Sequence, residues 1–357
     1  KNGVLPLAAN LKRIAVLGPN AHTPYNQLGD YTAPQDEKNV VTVYEGLKRR
    51  FPAAEVKYVK GVAIRDTLHT DIAAAVNAAR AAEVAVVVVG GSSARDFKTK
   101  YLETGAAVTA AESVQDMESG EGFDRSSLKL LGKQQELLEA VRATGTPMVV
   151  IYIQGRPLEM NWAAENADAL LTAWYPGQEG GNALAEILAG DADPSGRLPI
   201  SVPRSAGQVP VYYNKKNPAG HDYVEMSAAS MYPFGYGRSY TAFEYSGLRI
   251  RQEGRTGFEV SFLLKNTGKR EGVEVVQLYL RDEVASVVQP QKQLKQFQSV
   301  KLKAGEERLI TFRVSADDLR IINREMQAVT EPGDFRVMVG ASSADVRLED
   351  KLTVPGE

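Results

Sequence analysis

Residues 84–89 read VAVVVV and run straight into Gly90-Gly91. An unbroken apolar, β-branched run of this length has no polar face, so both of its sides need covering by protein. That is the signature of a central strand in a parallel sheet. Three further runs share the character: Arg13 to Gly18 (RIAVLG), Met148 to Ile153 (MVVIYI) and Ala169 to Trp174 (ALLTAW), with a shorter one at Val56 to Val59. Between them lie segments of helical period. Thr42 to Phe51 places Val43, Leu47 and Phe51 on one side. Asp71 to Ala82 is alanine-rich, Leu130 to Arg142 carries Leu131, Leu137, Leu138 and Val141, and Gly181 to Leu188 follows the last strand. This alternation predicts an α/β sandwich with a mostly parallel sheet.

The pattern dissolves from about Ser201 to Tyr240. Pro203, Pro210, Pro218 and Pro233 punctuate a stretch dense in aromatics, which predicts an ordered connector over 203–242 rather than a Gly/Ser-rich flexible linker. After Phe243 the period becomes 2. Phe258, Val260, Phe262 and Leu264 alternate with other residues, as do Val276, Leu278 and Leu280, then Leu309, Thr311 and Arg313, then Phe335, Val337 and Val339. Turn signals at Asn266-Thr267-Gly268, Ala304-Gly305-Glu306 and Pro332-Gly333-Asp334 separate them. Residues 243–357 are therefore expected to form an all-β sandwich of immunoglobulin or fibronectin III-like size.

Composition removes several kinds of function. The 357 residues carry 42 basic and 44 acidic side chains, a net charge of −2, which gives no electrostatic reason to expect nucleic acid or a membrane surface as partner. No apolar run approaches the roughly 20 residues that span a bilayer. Without cysteine there is no thiol catalysis, disulfide framework or thiolate zinc site. His22, His69 and His221 are scattered without metal-ligand spacing. Gly18-Pro19-Asn20 follows a strand but lacks both glycine-rich phosphate-loop patterns, so nucleotide binding is not expected.

Six segments, in order, carry a family resemblance: KNGVLPL at the start, SGEGFDR at 119–125, AWYPGQEGG at 173–181, GRLPISVP at 196–203, VPVYYN at 209–214 and YPFGYGRSYTAFEYS at 232–246. Together they resemble family 3 glycoside hydrolases over the full length of the chain. In that family a (β/α)8 barrel precedes an (α/β)6 sandwich, often with a fibronectin type III-like domain behind it. The resemblance implies that residues 1–11 are a remnant of the barrel-to-sandwich link, 12–202 the sandwich and 243–357 the fibronectin-like domain. It also implies that the N-terminal barrel, which carries the family's aspartate nucleophile, is missing from these residues. The sandwich is then expected to show an uncovered apolar face, or to close it as a homo-oligomer. Arg238 departs from the apolar residue usual at its place in PFGYG-x-SYT.

A retaining glycosidase needs two carboxylates about 5–5.5 Å apart, one as nucleophile and one as proton donor, and no metal or cofactor. Glu121 fits the donor. It lies between Gly120 and Gly122, which let the backbone approach a ligand, and it follows a long irregular segment, 92–119, between a strand and a helix. The glutamate assigned as acid/base in the family falls on it. Glu118 is its nearest rival, with Asp116 and Asp96 behind. Asp124 and Arg125 read as a structural pair beside the loop. Arg95, Asp96 and Lys98, directly after the 84–89 strand, are candidates to line the outer, +1 side of a sugar pocket. Trp174 and Tyr175 read as packing at a strand-to-helix junction before they read as a sugar platform.

The resemblance thus implies the C-terminal part of an exo-acting β-glucosidase. Its substrate would be a β-linked oligosaccharide or glucoside, and its place periplasmic or secreted. A β-xylosidase, an α-L-arabinofuranosidase or a non-catalytic carbohydrate-binding module are the alternatives.

Overall fold

The computed structural model describes residues 2–29, 32–33, 35–93, 102–104, 116–120, 124–216 and 221–356. The chain divides into two compact units. One is Lys1–Ala192 with Arg204–Gly207; the other is Asp193–Pro203 with Gln208–Glu357.

The first unit is built on five parallel strands: β1 (Arg13–Leu17), β2 (Glu55–Val59), β3 (Val84–Gly90), β4 (Met148–Ile153) and β5 (Ala169–Trp174). They lie in the order β2-β1-β3-β4-β5, so the wholly apolar β3 sits at the centre. The helices are α1 (Val43–Arg50), α2 (Ile72–Ala81), α3 (Gln134–Arg142), α4 (Asn161–Asn166) and α5 (Gly180–Ala189). Alternation along β3 divides the core. Val84, Val86 and Val88 join Val43, Leu47 and Phe51 of α1 and Leu184, Ala185 and Leu188 of α5 in one cluster. Their odd-numbered neighbours are equally buried on the other face, where α2 and α3 pack against each other.

Helix boundaries follow local chemistry. Thr42 caps α1 through a capping box with Glu45, and Asp71 caps α2 by accepting the Ala74 N–H. Helix α3 begins a turn later than its apolar period suggests, because Gly132 before it has φ +58°. Among the described residues, the expected uncovered face does not take the form of a patch of large exposed side chains. Among the described residues of this unit, only Leu68 and Leu102 are large, apolar and exposed, while β5 is half-buried along its whole length.

The second unit is a β-sandwich. Its strands are β6 (Phe243–Glu253), β7 (Gly257–Asn266), β8 (Gly272–Asp282), β9 (Gln293–Leu302), β10 (Glu307–Val314), the short pair β11 (Ile321–Ile322) and β12 (Ala328–Val329), β13 (Gly333–Ser342) and β14 (Asp345–Val354). A three-stranded sheet, β10-β7-β6, and a four-stranded sheet, β14-β13-β8-β9, enclose one core centred on Phe262, Leu278 and Val337. Strand β10 has the expected period but the opposite face. Ile310, Phe312 and Val314 are buried, whereas Leu309 is 62% exposed.

The segment 203–242, read above as one connector, is divided between the units, Arg204–Gly207 going with the first. Within the second unit its aromatics are ordered: Tyr213 stacks on Phe234 at 4.2 Å. Arg238 bonds its Nε to the Tyr236 hydroxyl at 3.0 Å, a partner an apolar residue would lack.

Candidate active site

In a doubly wound sheet, chemistry gathers beyond the carboxyl ends of the strands, where neighbouring connections part to opposite faces. Here that place lies between β1 and β3. Two buried amides hold the strand ends together. Asn20, just past β1, donates from Nδ2 to the Gly91 carbonyl at 3.0 Å, and its own oxygen accepts from Asn26 at 2.8 Å. Gln134, the first residue of α3, accepts the Gly90 N–H at 2.8 Å and donates to the Gly90 carbonyl at 2.9 Å. Sequence reasoning singled out neither amide for this role. A polar residue beside a strand end or at a helix start is too common to mark itself.

Residues 116–120 return to this edge. Asp116 accepts the backbone N–H groups of Ile64 and Arg65, at 2.9 and 2.7 Å. The Glu118 N–H donates to the Ser92 carbonyl at 2.9 Å, which fastens the segment to the end of β3. The Glu118 carboxylate meets Arg125 Nη1 at 2.5 Å, with the two side chains only 1% and 5% exposed. Arg125 Nη2 also donates to the Lys129 carbonyl. Asp124 Oδ1 accepts from Arg156 Nη1, on the loop after β4, at 2.6 Å.

The expected Asp124–Arg125 pair is therefore not formed between side chains. Asp124 accepts the backbone N–H of Arg125 and reaches Arg156, while the Arg125 guanidinium turns inward to Glu118. The reason is burial: Glu118 needs an enclosed cation, and Asp124 is exposed enough to be solvated. Burial pushes the Glu118 carboxyl above its ordinary value, opposed by the charge and hydrogen bond of Arg125. Asp124 is held below its ordinary value by the Arg125 N–H and then by Arg156.

Glu121, Arg95, Asp96 and Lys98 lie outside the described residues. What the structure brings together is the frame on either side of Glu121. Tyr175 is half-buried, its ring against Gly29 and Gly155, in keeping with the packing reading. His22 is placed for packing too, with Nδ1 2.8 Å from the Thr42 hydroxyl and its ring between Tyr44 and Tyr58. Among the described residues no group of three or more His, Asp or Glu side chains could hold a metal, and no helix is long and apolar enough to cross a membrane.

Comparison with known proteins agrees with this architecture. The glycosyl hydrolase family 3 C-terminal domain matches residues 1–240, and a fibronectin type III-like domain matches residues 274–343. A β-xylosidase of Formosa agariphila is 38% identical over 99% of this chain and 47% of its own length. A periplasmic β-glucosidase of Salmonella typhimurium is 35% identical over 94% of this chain and 45% of its own length. Among solved structures, a β-glucosidase from Erythrobacter marinus superposes with a TM-score of 0.85 at 34% identity, over 99% of this chain and 48% of that one. The chain thus spans about half the length of the relatives it matches. With a family-specific domain over two-thirds of its residues, a fibronectin-like domain behind it and the same fold in a solved relative, the chain belongs to glycosyl hydrolase family 3.

Proposed function

We propose that this chain supplies the general acid/base, Glu121, of a retaining, exo-acting β-glucosidase that removes terminal non-reducing β-D-glucosyl residues. In the first step Glu121 gives its proton to the glycosidic oxygen as a nucleophilic carboxylate attacks the anomeric carbon. In the second, the Glu121 carboxylate takes a proton from the water that releases the sugar. No aspartate of these 357 residues matches the family's nucleophile motif, so the nucleophile is assigned to a barrel domain working beside this one. Arg95, Asp96 and Lys98 are assigned to the +1 side of the sugar.

The observation that carries this reading is the Glu118–Arg125 pair. A carboxylate enclosed with a guanidinium is poorly placed to exchange protons with substrate, which counts against the nearest rival. Asp116, with both oxygens on backbone N–H groups, is similarly occupied. The family relationship then favours Glu121.

β-Xylosidase is the second reading, favoured by the Formosa relative, whose similarity covers nearly the whole chain. A periplasmic or secreted location is proposed from the Salmonella relative.

The test is kinetic. With a barrel domain in place, Glu121→Gln should lower kcat on phenyl β-glucoside by about 10²–10⁴-fold and abolish the basic limb of the pH profile. Comparing kcat/KM on 4-nitrophenyl β-glucoside and β-xyloside separates the two sugars. A Glu121→Gln enzyme with wild-type rate and pH profile would sink the proposal.

A further inference from the structure

We propose that Glu118 and Arg125 are positioning residues for Glu121, a buried clasp whose purpose is the placement of the acid/base rather than stability; this rests on Glu121 having that role. The pair stands three residues before and four after Glu121 and draws together the two ends of the six-residue stretch that contains it. Each end is then fixed to the sheet. The Glu118 N–H is bonded to Ser92 past β3, and the Glu118 side chain occupies space left by Gly91. On the other side, Asp124 is tied to Arg156 past β4, and Arg125 has a second bond to the Lys129 carbonyl.

Burying a carboxylate and a guanidinium is an expensive way to hold a chain, and apolar side chains of similar size usually hold it as well or better. Where such a pair stands beside a reacting group, geometry is what it specifies. A proton donor acts only within hydrogen-bond reach of its target, and a shift of about 1 Å costs about 10²-fold in rate. The charges here also compensate one another, Glu118 with Arg125 and Asp124 with Arg156. The pair therefore adds no net charge that would act on Glu121 at a distance, which leaves position as its influence.

The experiment uses the enzyme with its barrel domain and a series of aryl β-glucosides, from 2,4-dinitrophenyl to phenyl. Removing one partner strands a buried charge, so the pair is replaced together as Glu118→Met/Arg125→Met. Arg125→Lys, which keeps the charge but not the planar fork, is read alongside it and in its place if the double variant does not fold. The expected result is a loss of about 10²-fold in kcat/KM on the phenyl glucoside, which needs a proton donor, and less than about threefold on the dinitrophenyl glucoside. The basic limb of the pH profile on the phenyl glucoside should flatten with it, as proton donation contributes less to the rate. Glu121→Ala is the reference and should show the same leaving-group dependence more steeply. Equal losses on all substrates, or no loss, in the pair variants while Glu121→Ala keeps its dependence would overturn the clasp alone. Absence of the dependence from Glu121→Ala would overturn the acid/base assignment, and the clasp with it.

Discussion

Gly91 leaves the space that Glu118 fills: a β-carbon built at residue 91 would lie 1.9 Å from the Glu118 carboxyl carbon. Gly91→Ala is therefore expected to dislodge Glu118 from Arg125 and cost about 1–3 kcal/mol, typical of overpacking. Because the clash is with one side chain, the two positions should be coupled. In a Glu118→Ala background the Gly91→Ala change should cost about 1 kcal/mol less or better, measured from urea midpoints in a double-mutant cycle. Equal costs in both backgrounds would show that the glycine serves something else.

Helices α1 and α5 touch backbone to backbone. A β-carbon on Gly46 would come within 2.0 Å of the Gly181 carbonyl oxygen, and one on Gly181 within 2.0 Å of the Thr42 carbonyl oxygen. Neither contact is with a side chain that can turn aside. Gly181→Ala is expected to cost about 3 kcal/mol or more by denaturant unfolding, although alanine is the better helix former. A gain in stability would show that the helices separate freely.

Acid should loosen the first unit through Asp168. Its carboxylate accepts the Met148 N–H at 2.8 Å and the Asn2 amide at 2.7 Å, and faces Arg142 at 3.2 Å. Burial pushes its pKa up, but these three partners together bring it below the ordinary value. A depressed carboxylate contributes stability that is present above the unfolded value, about 3.9, and is lost as pH falls through the folded one. The stability of Asp168→Asn should accordingly fall less steeply below about pH 4 than that of the parent, while at pH 7 it should be about 1–3 kcal/mol less stable. Parallel acid limbs in the two proteins would contradict this.

In the second unit, Arg197 and Glu274 form an ion pair at 2.9 Å with both side chains 8% exposed, and burial pushes the Glu274 carboxyl up against the charge of Arg197. Truncating either partner should destabilise the unit by about 3–5 kcal/mol, since it leaves a buried charge unpaired. Replacing both with apolar residues should recover most of that loss in guanidinium unfolding.

The sequence was legible where burial was complete. Strands β1, β3 and β4 are inside on both faces, so hydropathy alone marks them, and the alternation of β7 shows its one buried face, whereas the middles of β8 and β13 are buried on both. Strand β9 escaped because its first seven residues bury nothing fully and Phe297 is 67% exposed. The face of β10 was misread because Leu309, Thr311 and Arg313 alternate as regularly as Ile310, Phe312 and Val314, and only the opposing sheet decides which set goes inside. At the site, the segment around Glu121 was visible as a motif. The clasp was not, because a bond between residues seven apart has no periodic signature. Adjacent Asp124 and Arg125 suggested each other, whereas their partners are Arg156 and Glu118.

Azide rescue tests the assignment of Glu121 most directly. Without its general base, the covalent glycosyl-enzyme formed from 2,4-dinitrophenyl β-glucoside waits for a nucleophile that needs no deprotonation, and azide is one. In the enzyme with its barrel domain, Glu121→Ala should accumulate the intermediate. Added azide should restore turnover with β-glucosyl azide as product, and Glu118→Ala, which keeps the Glu121 carboxylate, should be rescued far more weakly. Rescue of Glu118→Ala in place of Glu121→Ala, or undiminished turnover in Glu121→Ala without azide, would contradict the account.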